Sequence, residues 1–323
     1  MRIAAGTRRA AAAGIALALT LAAPSATPAA SASAAAPHRP ACFGAASRDP
    51  YRRCDNPRLK DLVIPTPDVA QITPSSPCTP IHDTEVNLCW FGRPLNKAVG
   101  VVALLGDSHA QHWRAALQTV ADQEHWFGLS STRDGCPFSL ATTIQPEPAR
   151  GVCSRWNKAL IVFFRQHPAI STIFESNHPG IVYRARGQSL LEAQIAGAEA
   201  MWRALPKSIK HIVVIRDIPY MRGNTYACVD RAIAKHTDAG VACAVPRSQA
   251  LHADPFALAA WRLRSPRIQV IDLTQFFCDG RLCYPVIGGS LAYRDSNHLT
   301  TVFAATLGPF LTHALGHLMR AWY

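Results

Sequence analysis

Two short motifs, far apart in the chain, carry residue types that together can perform acyl transfer. Gly106-Asp107-Ser108 places a serine after a turn-forming pair, and Asp295-Ser296-Asn297-His298 places a carboxylate three residues before an imidazole. A serine becomes nucleophilic when a histidine accepts its proton, and that histidine needs a third group to orient it. In a turn, Asp295 can reach the near ring nitrogen of His298 while the far nitrogen points outward.

Each motif also has a purely structural interpretation. Asp and Ser are favoured helix N-caps, so Asp107 and Ser108 could simply begin a helix. Asp295 or Ser296 could equally cap a turn beside an incidental His298, since the chain contains 13 histidines. The motifs alone therefore leave both interpretations open, and the surrounding elements have to decide between them.

The segment before Ser108 predicts a strand that ends at the serine. Residues 99–105 form an apolar run that stops at Gly106, and a helical pattern follows over residues 110–123. This order predicts a buried strand, a tight turn and a helix whose first turn carries Ser108. The first turn of a helix offers unpaired backbone N–H groups and the positive end of the helix dipole, which can stabilise an oxyanion.

Strands and helices alternate along the rest of the chain. Strands are predicted at residues 99–105, 125–131, 170–175, 211–218 and 268–273, and helices at residues 110–123, 153–167, 189–205, 248–263 and 300–319. Such alternation is typical of βαβ units, so we predict a three-layer α/β/α fold with a central parallel sheet. Functional residues of such sheets lie beyond the carboxyl ends of the strands, where Ser108 is placed. The last helix is predicted to pack in the core.

The first 34 residues have the layout of a secretory signal peptide. Arg2, Arg8 and Arg9 precede an apolar stretch over residues 10–23, and a tract rich in Ala, Ser and Pro follows. Residues 35–97 then form a Cys- and Pro-rich extension, which we expect to wrap around the domain of residues 98–323. The protein is therefore expected to be secreted or extracytoplasmic at the cell surface, with the signal peptide cleaved.

All ten cysteines follow the predicted signal peptide, as expected for a protein of an oxidising compartment. Pairing in sequence order is the simplest hypothesis, although other connectivities stay open. It would join Cys42 to Cys54, Cys78 to Cys89, Cys136 to Cys153, Cys228 to Cys243 and Cys278 to Cys283. The sequence has no Cys-x-x-Cys spacing, which disfavours zinc or redox chemistry, so we expect the disulfides to staple loops.

The net charge of the chain limits which kinds of binding partner are expected. The net charge is +12, yet the sequence shows no nucleic-acid motif and no dense Lys/Arg block, so an anionic surface or glycan is favoured over nucleic acid. Asp107, His109 and His112 could mimic a metal site at helical spacing, but we favour packing of His109 beside the serine turn. No cofactor and no metal is predicted.

Taken together in this order and distance, the two motifs resemble those of the SGNH (GDSL-like) hydrolase superfamily. The narrower similarity is to the SGNH domain fused to, or partnered with, membrane acyltransferase-3 proteins that O-acylate bacterial surface glycans. Gly135-Cys136-Pro137, Asp217-Ile218-Pro219 and Tyr293-Arg294-Asp295 add to this similarity, which covers about residues 98–318. The resemblance implies a flavodoxin-like SGNH fold.

The resemblance also implies roles for individual residues. Ser108 would be the nucleophile, His298 the general base and Asp295 its orienting carboxylate. The backbone N–H groups of Ser108 and Gly135 would donate to the oxyanion. The superfamily usually adds a side-chain Asn from a Gly-x-Asn-Asp block; here the matching segment reads Glu175-Ser176-Asn177-His178, so Asn177 is a third oxyanion candidate in a degenerate motif.

These roles predict an exported enzyme that works through an acyl-serine intermediate. By resemblance, the acyl group is acetyl, its acceptor is a hydroxyl of an envelope or extracellular glycan, and a separate membrane acyltransferase supplies it. Two alternatives stay open. One is a secreted carbohydrate acetylesterase with the same triad, and the other is a catalytically weak glycan-binding module, which the intact set of Ser108, Asp295 and His298 disfavours.

Overall fold

The computed structural model describes residues 39–81, 86–185 and 187–320, so the predicted signal peptide, residues 1–34, lies outside the described residues. The helices are α1 (Pro67–Ile72), α2 (Ser108–Gln111), α3 (Arg114–Gln123), α4 (Ala149–Gln166), α5 (Leu190–Ala204), α6 (Thr225–Ala234), α7 (Ala239–Ala242), α8 (Arg247–Ala250), α9 (Pro255–Leu263) and α10 (Thr301–Arg320). The strands are β1 (Thr79–Pro80), β2 (Leu88–Gly92), β3 (Gly100–Gly106), β4 (Trp126–Thr132), β5 (Ile170–Ser176), β6 (His211–Ile215), β7 (Val245–Pro246), β8 (Ile268–Ile271), β9 (Leu282–Cys283), β10 (Val286–Ile287) and β11 (Ser290–Leu291).

A seven-stranded, mostly parallel sheet forms the centre of the fold, which confirms the predicted fold class. Its strand order is β1-β2-β4-β3-β5-β6-β8. The strands from β4 to β8 in this order are parallel, and β1 and β2 are antiparallel additions at one edge. Numbered within the parallel set alone, the order is the flavodoxin-like 2-1-3-4-5. The order reverses direction at β3 and β5, and the carboxyl end of β3 leads to Ser108.

Side chains of β3 alternate between the two faces of the sheet, and each face packs against its own layer of helices. Val102 and Leu104 lie in a cluster with residues of α3 and α10, whereas Ala103 and Leu105 lie in a cluster with residues of α4, α5 and α9. All four side chains are buried. Burial on both faces explains why this strand reads as a continuous apolar run.

Two of the predicted helices are each divided in two. The single helix predicted over residues 110–123 is wrong, because α2 ends at Gln111 and α3 begins at Arg114. The helix predicted over residues 248–263 is likewise α8 and α9, because Asp254 starts a new helix by accepting from the N–H groups of Phe256 and Ala257.

The last helix, α10, packs in the core, as predicted. By length and composition it is the one helix among the described residues that could cross a membrane. Its Phe303, Leu307, Leu311 and Leu315 side chains are nevertheless buried in the same cluster as residues of α3. Burying each of these side chains stabilises the fold by roughly 1.5–3 kcal/mol, so α10 contributes strongly to the core.

The five disulfides join the cysteines in sequence order, which confirms the simplest pairing hypothesis. Two of them lie in the Cys/Pro-rich extension, whose strand β2 pairs with β4 and whose Ala45 N–H donates to Thr306 Oγ1 of α10 at 3.0 Å. The extension therefore supplies an edge of the sheet as well as cover for α10. A domain boundary at residue 98 stays a prediction.

Candidate active site

Ser108 lies just after a tight turn between β3 and α2. Gly106 has a φ of +135°, and a Cβ there would lie 2.1 Å from the carbonyl oxygen of Ser176, so a larger residue does not fit. Asp107 is the N-cap of α2, and its Oδ1 accepts from the N–H of His109 at 2.9 Å. Because Asp107 provides the cap, the hydroxyl of Ser108 is available for another bond.

The three predicted catalytic residues form one continuous chain of hydrogen bonds. The Ser108 hydroxyl lies 2.8 Å from Nε2 of His298 and can donate to it, although the two residues are 190 positions apart. Nδ1 of His298 lies 2.8 Å from Oδ2 of Asp295. In this arrangement an imidazole can take the serine proton while the carboxylate holds the required tautomer.

The carboxylate of Asp295 is kept ionised by its bonds. Its Oδ1 accepts from the backbone N–H groups of Asn297 and His298, both at 2.8 Å. Burial raises the pKa of Asp295, but the hydrogen bonds from His298 and from the two backbone groups outweigh it, so this pKa lies below its usual value. Asp295 therefore carries its negative charge at neutral pH and can stabilise a protonated His298.

The loop that carries Asp295 and His298 is held by the segment over residues 219–246, an insertion between β6 and α8 that contains the Cys228–Cys243 disulfide. The backbone N–H of Met221 donates to the carbonyl of Ser296 at 2.7 Å. The hydroxyl of Tyr226, on α6, donates to the carbonyl of Tyr293 at 3.0 Å. Sequence reasoning missed both residues, because neither belongs to a motif. The insertion thus positions the catalytic loop.

Asp107 joins the Ser108 turn to the end of β5. Its Oδ2 accepts from the backbone N–H of His178 at 2.9 Å. The His178 ring in turn reaches the catalytic loop, because its Nε2 lies 3.1 Å from Nδ2 of Asn297. Burial lowers the pKa of His178 to about 4, so the neutral ring can accept this bond from the amide. Asp107 and His178 therefore link the Ser108 turn, the end of β5 and the loop that carries His298.

The loop with the oxyanion candidate Gly135 is tied to the Ser108 turn. The N–H of Arg133 donates to the carbonyl of Gly106 at 3.1 Å, and Nε2 of Gln111 donates to Oδ1 of Asp134 at 2.7 Å. Gly135 itself has a φ of +64°, a backbone conformation that favours glycine. The structure thus brings the Gly135 loop to the nucleophile, while its donor role stays a prediction.

Asn177, the third oxyanion candidate, is buried and bonded to the scaffold. Its Oδ1 accepts from the N–H of Phe138 at 2.8 Å, and its Nδ2 donates to Oε2 of Glu175 at 3.3 Å. Glu175 also accepts from Nε1 of Trp202 at 2.5 Å, and burial raises the pKa of this carboxyl to about 8. Asn177 therefore fixes the loop that follows Gly135, and its role toward an oxyanion stays a prediction.

Two further histidines, His109 and His112, are buried next to the catalytic base. The ring centroid of His109 lies 4.8 Å from that of His298 and 5.3 Å from that of His112. This agrees with the expectation that His109 packs beside the serine turn. Across residues 39–81, 86–185 and 187–320, no group of three or more His, Cys, Asp or Glu side chains is arranged to hold a metal ion.

Comparisons with known proteins bear on the family and the fold of the chain. The family model described as "SGNH domain (fused to AT3 domains)" matches residues 77–312, more than half of the chain. No curated protein sequence matches the chain. Among solved structures, the fold is similar to that of the lipopolysaccharide acetyltransferase periplasmic domain from Salmonella ser. Paratyphi A, with a TM-score of 0.52 and 13% identity over 71% of this chain and 90% of that chain. At this identity the likeness concerns the fold alone.

Proposed function

Since the chain belongs to the family of SGNH domains fused to AT3 domains, we propose that it is an enzyme that transfers acyl groups through Ser108. The observation that carries this proposal is the unbroken contact from Ser108 Oγ through His298 to Asp295. Family membership supports an ester-acting enzyme, either an acyltransferase or a hydrolase. Both activities begin with the same acylation of a serine.

In the first half-reaction, Ser108 Oγ attacks the carbonyl carbon of the acyl donor while His298 Nε2 takes the hydroxyl proton. Backbone N–H groups of Ser108 and Gly135 would hold the oxyanion of the tetrahedral intermediate. When the bond to the leaving oxygen breaks, His298 gives that oxygen its proton, and an acyl ester remains on Ser108. Ionised Asp295 stabilises the imidazolium between these steps.

In the second half-reaction, a hydroxyl oxygen attacks the acyl-serine and His298 takes its proton. The Ser108–acyl bond then breaks, and His298 returns the proton to Ser108 Oγ. We propose that the acceptor is a hydroxyl of an envelope glycan, that the acyl group is acetyl, and that a membrane acyltransferase supplies it. The family's association with AT3 domains and the acetyltransferase activity named for the structural neighbour support this version.

Hydrolysis is a second candidate, which the exposure of the site favours. The side chains of His298 and Asp295 are 21% and 43% exposed, so water can approach the base. With water as acceptor, the same steps would remove acetyl groups from a carbohydrate. The two candidates therefore differ only in the second nucleophile, and an assay with and without a glycan acceptor separates them.

The test uses the protein from residue 35 onward and p-nitrophenyl acetate as the acyl donor. We expect acylation of Ser108, seen as a mass increase of one acetyl group, and faster turnover when an O-deacetylated envelope polysaccharide is added. Ser108→Ala should lower turnover by at least about a thousandfold. Ser154→Ala, which changes an exposed serine on α4, serves as the matched control.

The outcomes separate the candidates. Acetylation of the polysaccharide supports the transferase, and release of acetate that the polysaccharide does not accelerate supports the esterase. Turnover that survives Ser108→Ala, with no acyl group on Ser108, rules out the proposed mechanism. Binding of the polysaccharide without any turnover would leave the glycan-binding module as the function.

The disulfides also support an extracytoplasmic location. Among the described residues no cysteine is free, and five disulfides are typical of a protein in an oxidising compartment. We further propose that the chain is exported by the signal peptide of residues 1–34 and that this peptide is removed. The mass of the exported protein should place its first residue near position 35; an intact N-terminus would contradict cleavage.

A further inference from the structure

A second imidazole–carboxylate pair, absent from the triad, lies beside the catalytic histidine. Nδ1 of His109 is 2.6 Å from Oδ1 of Asp217, and the two side chains are 1% and 3% exposed. His109 follows Ser108 after β3, whereas Asp217 follows β6, 108 residues later. The pair therefore spans the carboxyl ends of two strands that are separated by β5 in the sheet.

The His109 ring contacts the ring that serves as the base. Their centroids are 4.8 Å apart and their planes are inclined by 63°. His109 also contacts the rings of His178 at 4.4 Å and His112 at 5.3 Å. Protein interiors are packed as densely as organic crystals, so the angle of one ring restricts the angle of its neighbour. A change in the orientation of His109 is therefore transmitted to His298.

Both members of the pair are anchored in rigid elements. The N–H of Asp217 donates to Oδ2 of Asp254 at 2.9 Å, and Asp254 is the residue that caps α9. The N–H of His109 donates to Oδ1 of Asp107. Since the backbone is fixed at each end, the 2.6 Å bond leaves the His109 ring a single orientation.

The protonation state of His109 is also compatible with its position beside the catalytic base His298. Burial raises the pKa of Asp217 and lowers that of His109, because it opposes a net charge on either group. For His109, burial therefore favours the neutral ring. A neutral ring does not oppose the positive charge that His298 acquires when it takes the serine proton.

We propose that the pair of His109 and Asp217 positions His298: Asp217 fixes the His109 ring, and this ring holds the catalytic imidazole at the angle at which Nε2 meets Ser108. Neither residue is a catalytic residue by this account, since both act through His298. The inference rests on the proposed function, because it assigns His298 the role of base.

A spectroscopic test examines the pair without any activity. A proton on a histidine Nδ1 that is bonded to a carboxylate resonates far downfield in proton NMR, and we expect two such signals in the wild-type protein, one from His109 and one from His298. His109→Gln should remove one signal, and Asp295→Asn should remove the other. In Asp217→Ala the signal of His298 should shift or broaden, because its ring is no longer held. A His298 signal that Asp217→Ala leaves unchanged would overturn the inference.

A kinetic test uses p-nitrophenyl acetate and counts active sites by covalent labelling of Ser108. Asp217→Ala should lower kcat by about tenfold to a hundredfold, the loss expected from a misplaced catalytic group, and change KM by less than about threefold. Asp217→Asn keeps an acceptor for His109 and should retain most of kcat. The matched control is Asp61→Ala, which makes the same change at an exposed aspartate of the Cys/Pro-rich extension and should leave kcat unchanged.

The results distinguish this inference from the proposed function. If the wild-type protein transfers no acyl group, the proposed function fails, while the NMR signals still decide whether the pair holds His298. If the wild-type protein is active and Asp217→Ala keeps its kcat per labelled site, only the positioning role fails. If Asp217→Ala does not fold, His109→Gln takes its place as the variant expected to lose kcat, and Asp217→Asn remains the conservative variant.

Discussion

The nucleophile and the base of the candidate site lie in regions that are built in different ways. The turn around Ser108 is made by neighbouring residues: Gly106 permits the backbone conformation and Asp107 caps the next helix, and both are buried. The loop around His298 is more exposed, with 43% of the Asp295 side chain accessible. Its backbone is held by Met221 and Tyr226, about 70 residues earlier in the chain.

This difference shows which part of the molecule positions the nucleophile and which part positions the base. The nucleophile is placed by the end of a buried strand, so its geometry depends on the stability of the sheet. The base is placed by bonds from a separate segment, so its geometry can change while the sheet stays intact. Apart from changes to Ser108 itself, substitutions in the turn should therefore act mainly on folding, and substitutions around the loop mainly on turnover.

The largest effect is expected from Asp295→Asn, which changes the loop without removing its backbone bonds. An asparagine keeps an oxygen for the N–H groups of Asn297 and His298 but cannot accept from Nδ1 of His298. We expect kcat to fall by about ten-thousandfold, since the wrong tautomer faces the serine. The melting temperature should stay close to that of the wild type.

The measurement is kcat with p-nitrophenyl acetate beside a thermal melt. Asp230→Asn, a change of an exposed aspartate on α6, is the matched control and should leave both quantities unchanged. If Asp295→Asn lowers the melting temperature strongly, the loop is part of the folding unit and the contrast between the two regions is wrong.

The second largest effect, on stability, is expected from Gly106→Ala, which distorts the turn before Ser108. The added Cβ would lie 2.1 Å from the Ser176 carbonyl, at a φ of +135°, so the strand ends would have to move apart. We expect the free energy of unfolding to fall by about 3 kcal/mol or more. Urea denaturation measures this change. Gly223→Ala is the control, since nothing lies within 4 Å of the position of its Cβ; equal losses in the two variants would refute the role of the turn.

The smallest effect is expected from Tyr226→Phe, which removes one bond to the catalytic loop. The lost hydrogen bond to the Tyr293 carbonyl should cost about 1 kcal/mol of local stability. We expect kcat to fall a few-fold while the urea midpoint changes little. Tyr51→Phe, at a 71% exposed tyrosine, is the control. A variant with the kcat of the wild type would show that α6 does not position the base.

The sequence predicted the parallel sheet, because β3, β5, β6 and β8 are apolar runs separated by helical patterns. It failed where a helix is broken by a local cap: Asp254 lies within an otherwise helical pattern, and only its bonds to Phe256 and Ala257 show that α9 begins there. Strand β2, which lies between β1 and β4, was also missed, since its pairing with β4 depends on a partner about 40 residues away rather than on a local pattern.

For the candidate site, the sequence by itself determined which groups are present: Ser108 after a strand, and Asp295 three residues before His298. It also determined the turn at Gly106, because backbone conformation and capping are local properties. Only the tertiary structure decided that Ser108 and His298 meet at 2.8 Å, that Asn177 binds the scaffold, and that Asp217 pairs with His109. These contacts join the ends of different strands, and their geometry follows from how the sheet and its loops pack rather than from any spacing along the chain.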